Sequence, residues 1–369
     1  MRIGFDAKRY FLNKTGLGNY SRDLVRIMEE YYPANEYIKY TPKIKGSTLD
    51  DINTKLPKGK IDTLFNSLWR NRWIIKDLVS DNIQLYHGLS GEIPKGLKNT
   101  SIKSVVTIHD LIFLKFPELY NPIDRILYNN KFKYAVHHAD KIIAISEQTK
   151  NDIVEYYNID AAKIAVIYQG CHPTFKTIKT QEQKDRIREK YNLPKQFLLN
   201  VGSIEPRKNA LQIIKAIENI DIPLVIVGKE TKYSAEIQQY ISQKGLQDRV
   251  HILQGFTMEE LSTLYAMADI FIYPSKYEGF GIPIIEALYA GTPVITTNSG
   301  VFPEAGGPSS CYINPENIND ISNAIQNILA NDALKAEMIR KGLAFVQRFN
   351  DDVIASQWAR VYTDLLKTD

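Results

Sequence analysis

The stretch YPSKYEGFGIPIIEALYAG, Tyr273 to Gly291, reads as a strand end, a glycine-bearing loop and a helix, with the carboxylates Glu278 and Glu286 on either side of the junction. The run DIFIY at 269–273 has the apolar, β-branched character of a buried strand. Pro283 suits a first helical turn, where its missing N–H would have no partner, and Gly291 suits the C-terminal stop. The loop with Gly279 and Gly281 turns the amides around Phe280 to Ile282 past the strand's carboxyl end, where a helix N-terminus attracts phosphate. Glu278 and Glu286 repel phosphate, so their use beside it is to accept hydrogen bonds from hydroxyl groups. Phosphate flanked by hydroxyls describes a sugar nucleotide. On spacing alone a plainer reading carries equal weight: Glu286 complements the helix dipole and Glu278 is a solvated loop residue.

Outward from this unit the same alternation fills the chain. Strand patterns fall at 2–5, 37–40, 83–86, 104–108, 141–145 and 164–167, and again at 197–201, 224–227, 250–253, 269–273 and 294–296. Amphipathic stretches separate them, for example 19–32, 64–78, 124–138, 210–218 and 258–268. Strand–helix alternation predicts α/β architecture with parallel sheets covered on both faces. A chain of 369 residues exceeds one comfortable core, so the pattern predicts two doubly wound, Rossmann-like domains. The segment GCHPTFKTIKTQ at 170–181 has no convincing period, which sets the domains at 1–172 and 173–351 with a final helix over 352–369.

In open sheets of this kind ligands bind beyond the strands' carboxyl ends, so each strand-end loop can carry chemistry. After 197–201 the sequence GSIEPRKNAL brings Arg207 and Lys208 to a helix start, where two cations would neutralise a diphosphate. Out of context such a pair reads as solvated surface charge. Gly228 and the Gly255-Phe256 pair close two further strands and permit close approach to a planar ligand, or simply make turns. Gly16 and Gly18 in TGLGNY precede an amphipathic stretch, without the third glycine of a dinucleotide fingerprint. His87 and the His109-Asp110 pair follow the strand patterns IQLY and SVVTI, so both histidines are expected to face a ligand. His137-His138 reads as a helix end, and no Asp-x-Asp motif follows a strand, so no metal is expected.

The E-x7-E spacing of EGFGIPIIE, preceded by YPS and followed by EALYAGTPVITTNSGVFPE, resembles the signature of the family 4 retaining glycosyltransferases. The likeness extends from GSIEPRKN at 202–209 through RVHILQGF at 249–256 to Glu304. It implies the GT-B fold, two Rossmann-like domains facing across a cleft, with the first domain on the acceptor side and the second binding the nucleotide sugar. It also implies that the final helix crosses back to the first domain. By this resemblance Glu278 holds sugar hydroxyls, Glu286 the ribose diol, and the 255–261 segment, Gly255, Phe256 and Leu261 included, lies along the base. The loop of Gly16 and Gly18 closes over the diphosphate, His109 contacts the donor sugar, and Asp110 with His87 orients the acceptor or a catalytic group. Family members often carry arginine directly after the first glycine of the 202–209 loop, whereas this chain has Ser203, so Arg207 supplies that charge. The implied reaction is metal-independent, retaining transfer to a glycan or lipid-linked hydroxyl, with no cofactor beyond the nucleoside-diphosphate sugar itself.

The phrases TGLGNY, YHG, TIHDLIFLKFPE and EPRKN look most like bacterial mannosyltransferases of surface-polysaccharide assembly, which favours GDP-mannose. Transfer from UDP-glucose, UDP-galactose or a UDP-N-acetylhexosamine stays open, as do a nucleotide-sugar epimerase of the same build and a non-catalytic sugar-binding module. A nicotinamide oxidoreductase would need G-x-G-x-x-G directly after a strand, which neither half shows. Composition is that of a soluble globular protein, 44% hydrophobic and 24% charged, with charges at Arg2, Asp6, Lys8 and Arg9 where a secretory signal needs an apolar core. Two distant cysteines suggest neither disulfide nor metal site, so a cytoplasmic setting is expected. Residues 1–175 carry 25 lysines and arginines against 19 carboxylates, an excess of six. That excess and the segment LFNSLWRNRWIIK at 64–76 fit a peripheral contact at the inner face of a membrane, although a partly buried amphipathic helix explains the segment more simply. No motif supports nucleic acid binding.

Overall fold

The computed structural model describes residues 1–13, 15–44 and 53–367. The chain divides into two compact units, Met1–Gly170 with Asn350–Asp369, and Cys171–Phe349. Each is built on a parallel sheet. The first holds β1 (Arg2–Asp6), β2 (Glu36–Tyr40), β3 (Thr54–Lys55), β4 (Leu85–Gly88), β5 (Lys103–Ile108), β6 (Lys141–Ala144) and β7 (Ile164–Val166), in the order β3-β2-β1-β4-β5-β6-β7. The second holds β8 (Leu198–Val201), β9 (Leu224–Val227), β10 (Val250–Leu253), β11 (Ile270–Tyr273), β12 (Val294–Thr297) and β13 (Cys311–Ile313), in the order β10-β9-β8-β11-β12-β13. Both sheets reverse direction of winding once, between β1 and β4 and between β8 and β11. Such switch points are where doubly wound sheets hold ligands, because the loops on either side diverge to opposite faces.

The central strands are nearly continuous apolar runs, as helices on both faces require; Phe271, Ile272, Leu198, Leu199 and Val225 are fully buried. Helix starts follow local chemistry. Thr180 with Gln183 and Thr257 with Glu260 form reciprocal capping boxes, and Asn121 caps the helix Pro122–His138 ahead of its proline. The final helix, Asp351–Lys367, lies in the first unit: Arg26 meets Asp351 at 2.7 Å, and Trp358 and Tyr362 are buried. Residues 368–369 of the expected 352–369 helix lie outside the described residues.

Three expectations shift. The strand placed at 83–86 runs instead over Leu85–Gly88, because Asn82 and Ile83 close the preceding helix: Asn82, at φ 53°, donates to the Val79 carbonyl and Ile83 to Leu78. The helix placed at 64–78 is broken into Lys60–Leu64, Asn66–Leu68, a wide π-type turn at Trp69–Trp73, and Ile74–Ser80. That turn swings Arg70 inward to Asp6 and Glu92. Finally, the helix expected from residue 19 begins at Gly16.

Candidate functional site

In the second unit the loops after β8 and β11, the two strands flanking the switch point, converge on Glu278. A tight turn, Pro206–Lys208, follows β8 and presents Arg207 and Lys208. Glu278 Oε1 lies 2.8 Å from Arg207 Nη1 and 3.1 Å from Lys208 Nζ, and accepts hydrogen bonds from the Tyr273 hydroxyl at 2.8 Å and the Ser275 hydroxyl at 2.9 Å. Lys208 Nζ also donates to the Tyr273 hydroxyl, 2.9 Å away. Arg207 is shared with Glu205 at 2.7 Å and with the Tyr277 carbonyl. Burial would push the Glu278 carboxyl up, but Lys208 and Arg207 outweigh it and hold the group down at about 2. Burial likewise lowers Arg207 and Lys208, and the facing Glu278 reverses that, so both stay above their ordinary values.

The site is half spent and half open. Among the described residues, the hydrogen bonds on Glu278 all fall on Oε1 and none on Oε2, which is not one of the fully enclosed unpartnered atoms. Lysine has three N–H donors and arginine five, so each cation keeps N–H groups beyond those used on Glu278 and its neighbours. One carboxylate oxygen and several cationic donors are thus offered side by side, the set that a hydroxyl beside a phosphate requires.

Glu286 is treated differently. It sits on the helix Ile282–Tyr289 at 8% exposure, and its Oε2 accepts a hydrogen bond from Tyr265 at 3.0 Å. No cation faces it among the described residues, so burial raises its carboxyl to about 7, with Tyr265 opposing only in part. Tyr265 ends the helix Met258–Tyr265, and Leu261 stands one turn earlier on the same face. At that helix's other end Gly255 is exposed, and Phe256 stacks on Tyr191 with ring centroids 3.9 Å apart. Gly281 caps the Glu286 helix just before Ile282, Gly279 is half-buried, and the Phe280 ring is core, against Phe349. Ser203 is half-exposed in the loop after β8.

In the first unit His109 follows β5 at 8% exposure. Burial lowers its imidazole to about 4, so the ring is neutral near pH 7. The Leu89 carbonyl, 2.8 Å from Nε2, can only accept, which puts the proton on Nε2 and leaves Nδ1 to accept from Gln169 at 3.0 Å. Tyr20 packs edge-on against the ring at 4.5 Å, so the helix that Gly16 and Gly18 open is in direct contact with His109. Asp110 Oδ1 accepts from the Ile112 amide at 3.1 Å.

With this geometry in place, the sequence matches the pattern described as Glycosyl transferases group 1 over residues 181–344, and Glycosyltransferase Family 4 over residues 45–175. The chain belongs to the group 1 glycosyltransferases. It is 28% identical over 301 residues to an O-antigen chain mannosyltransferase B of Escherichia coli, covering 79% of this chain and 77% of that protein. It is 31% identical over 263 residues to the serotype-specific mannosyltransferase WbdA of Escherichia coli, covering 68% of this chain and 32% of WbdA, so it spans about a third of that relative's length. The solved structure of sucrose-phosphate synthase from Thermosynechococcus elongatus superposes with a TM-score of 0.78 at 23% identity over 100% of both chains. The fold of the glycosyltransferase is therefore GT-B, two parallel-sheet Rossmann-like units.

Against this frame several assigned roles move. His87 does not reach a ligand surface: it is fully buried, with Nδ1 2.7 Å from the Tyr362 hydroxyl and Nε2 2.8 Å from Thr107, and burial lowers its imidazole to about 3. It lies within β4 rather than after it, so its work is to seat the final helix. Gly16 and Gly18 are helical, not a mobile loop; a Cβ on Gly18 would come within 1.8 Å of the Asn13 carbonyl oxygen. Gly228 serves backbone packing, since a Cβ there would meet the Gly202 carbonyl oxygen at 1.7 Å. The 64–76 segment is partly buried, though not as one continuous helix: Trp69 and Ile74 enter the core with Trp73 packed against them, while Leu64, Phe65 and Leu68 are exposed. The sequence reading also missed Tyr273, Ser275, Tyr265 and Gln169. The first three stood inside apolar or quoted stretches and read as scaffold, while Gln169 carries no local signal. Among the described residues no three histidine, cysteine or carboxylate side chains gather as metal ligands, and no helix is long and apolar enough to cross a membrane.

Proposed function

We propose that this chain transfers a mannosyl unit from GDP-mannose to a hydroxyl of a glycan or lipid-linked acceptor in polysaccharide assembly, retaining anomeric configuration and using no metal ion. The observation that carries transfer from a nucleotide sugar is the Glu278 constellation: one oxygen locked by Arg207, Lys208, Tyr273 and Ser275, the other left to accept a sugar hydroxyl. Mannose is favoured because two Escherichia coli relatives that match over 79% and 68% of this chain are mannosyltransferases by name.

In this reading Glu286 accepts hydrogen bonds from the ribose diol, with Leu261, Gly255 and Phe256 along the base. Arg207 and Lys208 meet the diphosphate and stabilise its charge as the glycosidic bond breaks through an oxocarbenium-like transition state. The departing diphosphate takes the acceptor hydroxyl's proton on the same face of the sugar. His109 contributes a neutral imidazole to sugar recognition and Asp110 orients the acceptor. The first unit serves the acceptor and the second the donor, at the cytoplasmic side of a membrane where lipid-linked intermediates are reached.

The test is a panel of nucleotide sugars screened by thermal shift, followed by hydrolysis and transfer assays on each binder. GDP-mannose should stabilise most and yield an α-linked product, since retention keeps the donor's anomer. A UDP-sugar that binds and turns over in its place overturns the donor, and interconversion of donor sugars without acceptor makes the protein an epimerase. Loss of turnover on chelation, restored by a divalent cation, overturns metal independence. Glu286→Ala should raise donor KM or abolish turnover; His109→Ala should slow transfer and donor hydrolysis, and unchanged kinetics would remove either residue from the site.

A further inference from the structure

Among the described residues, seven of the fourteen exposed large hydrophobic side chains fall in two stretches of the first unit, while the others, Ile178 at 99% included, are scattered along the chain. Ile61, Leu64, Phe65 and Leu68 are 65, 76, 53 and 40% exposed, and Ile123, Ile126 and Leu127 are 69, 57 and 51% exposed. The first set repeats at i, i+3, i+4 and i+7 and the second at i, i+3 and i+4, spacings that ordinarily line a buried helix face. Here the spacing is kept and the burial is absent.

Topology puts both stretches on one edge. Each opens a helical segment that returns antiparallel to the sheet before the next strand, β4 after the first and β6 after the second. In a parallel sheet such helices begin at the strands' carboxyl ends, the side on which the His109 loop emerges. The loop after β4 ties the two together. Glu92 pairs with Arg70 at 2.6 Å and with Lys131 at 3.2 Å, and the Lys95 amide donates to the Asn71 carbonyl at 2.7 Å while that of Gly96 donates to the Tyr134 hydroxyl at 3.1 Å.

The charge around this face has one dominant sign. Residues 55–76 contain six lysines and arginines against the single carboxylate Asp62, and Lys58, Arg72 and Lys76 are exposed. Lys133 is exposed on the helix of Ile123, where Asp124 is the opposing charge. Aliphatic side chains among cations match the boundary of a bilayer that carries anionic lipid, where apolar groups enter below the phosphates and cations stay among them. A second copy of the chain would bring the same cations against one another, so charge argues against self-association here.

We propose that this apolar, basic face docks the protein on a membrane surface containing anionic lipid. The docking extends the reading of a lipid-linked acceptor, because it sets the strand ends of the first unit at the headgroups where such an acceptor presents its hydroxyl.

The full chain is sedimented with vesicles of phosphatidylcholine alone and of phosphatidylcholine mixed equally with phosphatidylglycerol. Wild type should pellet with the anionic vesicles and be released by salt. The double substitutions Leu64→Asp with Phe65→Asp, and Ile123→Asp with Ile126→Asp, should each weaken partitioning by roughly tenfold or more. Arg72→Glu with Lys76→Glu should weaken it selectively for anionic lipid. Thermal unfolding and binding of nucleotide sugar in solution should be unchanged in all three, which separates failure of docking from failure of the transferase reading. Wild type left in the supernatant, or aspartate variants that pellet like wild type, would overturn the proposal. A wild-type dimer in light scattering that the same substitutions dissociate would assign the face to a second copy and overturn it too.

Discussion

Glu286→Gln isolates what burial does to the motif's second glutamate. In the unliganded protein its carboxyl is raised to about 7 by burial, so near neutrality it is half protonated. If, as proposed, two ribose hydroxyls donate to it, they require the carboxylate, so binding of the donor should release a proton wherever the free site holds one. With a folded value of about 7, the ionised fraction rises about tenfold from pH 6 to pH 8, and nucleotide-sugar affinity should rise by the same factor, about 1.4 kcal/mol. A nucleotide sugar is the right probe, because its diphosphate is esterified at both ends and loses no proton in this range. Isothermal titration in buffers of different ionisation enthalpy reads both the affinity and the proton released. In Glu286→Gln the Tyr265 hydrogen bond survives on the amide oxygen, affinity falls, and the pH slope vanishes. Stability carries the opposite sign. A carboxyl whose folded value is raised contributes stability that is complete below its unfolded value and is lost as pH rises through about 7. Glu286→Gln should therefore stabilise the unliganded protein at pH 8, by on the order of 3 kcal/mol, and change it little at pH 4. A flat affinity profile in wild type, or the same slope in the glutamine variant, would refute the assignment of the diol to Glu286.

Other substitutions separate scaffold from site. Tyr273→Phe removes a donor to Glu278 and an acceptor for Lys208; kcat/KM should fall about tenfold, with thermal unfolding nearly unchanged. Gly228→Ala forces the Gly202 carbonyl to move, and urea unfolding should show a loss of about 3 kcal/mol. His87→Ala leaves the Tyr362 and Thr107 hydroxyls facing a buried gap, so stability should drop by about 3 kcal/mol while nucleotide affinity holds.

The strands of both sheet centres were legible because strands covered on both faces must be apolar throughout, and nothing in a helix imitates a short β-branched run between glycines. Two of the four edges were not: β7 and β10 were read at 164–167 and 250–253, but β3 is two residues long and β13 three, and neither carried a pattern that set it apart from loop. The two histidines illustrate how little separates scaffold from site in one dimension. His87 and His109 both end apolar runs, yet a shift of two residues in where β4 starts puts His87 inside the strand, against Tyr362 from 275 positions away. His109, one residue past the end of β5, keeps a face toward the surface. The π-type turn at Trp69–Trp73 has no sequence period either; it follows from the pull of Asp6 and Glu92 on Arg70 and of Asp77 on the Trp69 indole N–H, 2.7 Å away.

The two glutamates, separated by seven residues in the motif, are given opposite electrostatic surroundings, and that difference underlies the roles proposed for them. Glu278 is ionised at every physiological pH, because two cations hold one of its oxygens. The other oxygen is then a fixed acceptor that needs no ligand to create it, which suits a group that must recognise a hydroxyl while charge is moving nearby. A pre-ionised acceptor costs no reorganisation as the sugar becomes electron-poor. Glu286 has no cation and one hydroxyl partner, Tyr265, so its charge is completed only when the ligand arrives with donors of its own. In the proposed reading it reports occupancy rather than stabilising the reacting centre. Substitution at Glu278 should therefore act mainly on kcat, and substitution at Glu286 mainly on donor KM. The reverse split, measured on the same donor, would exchange the two roles.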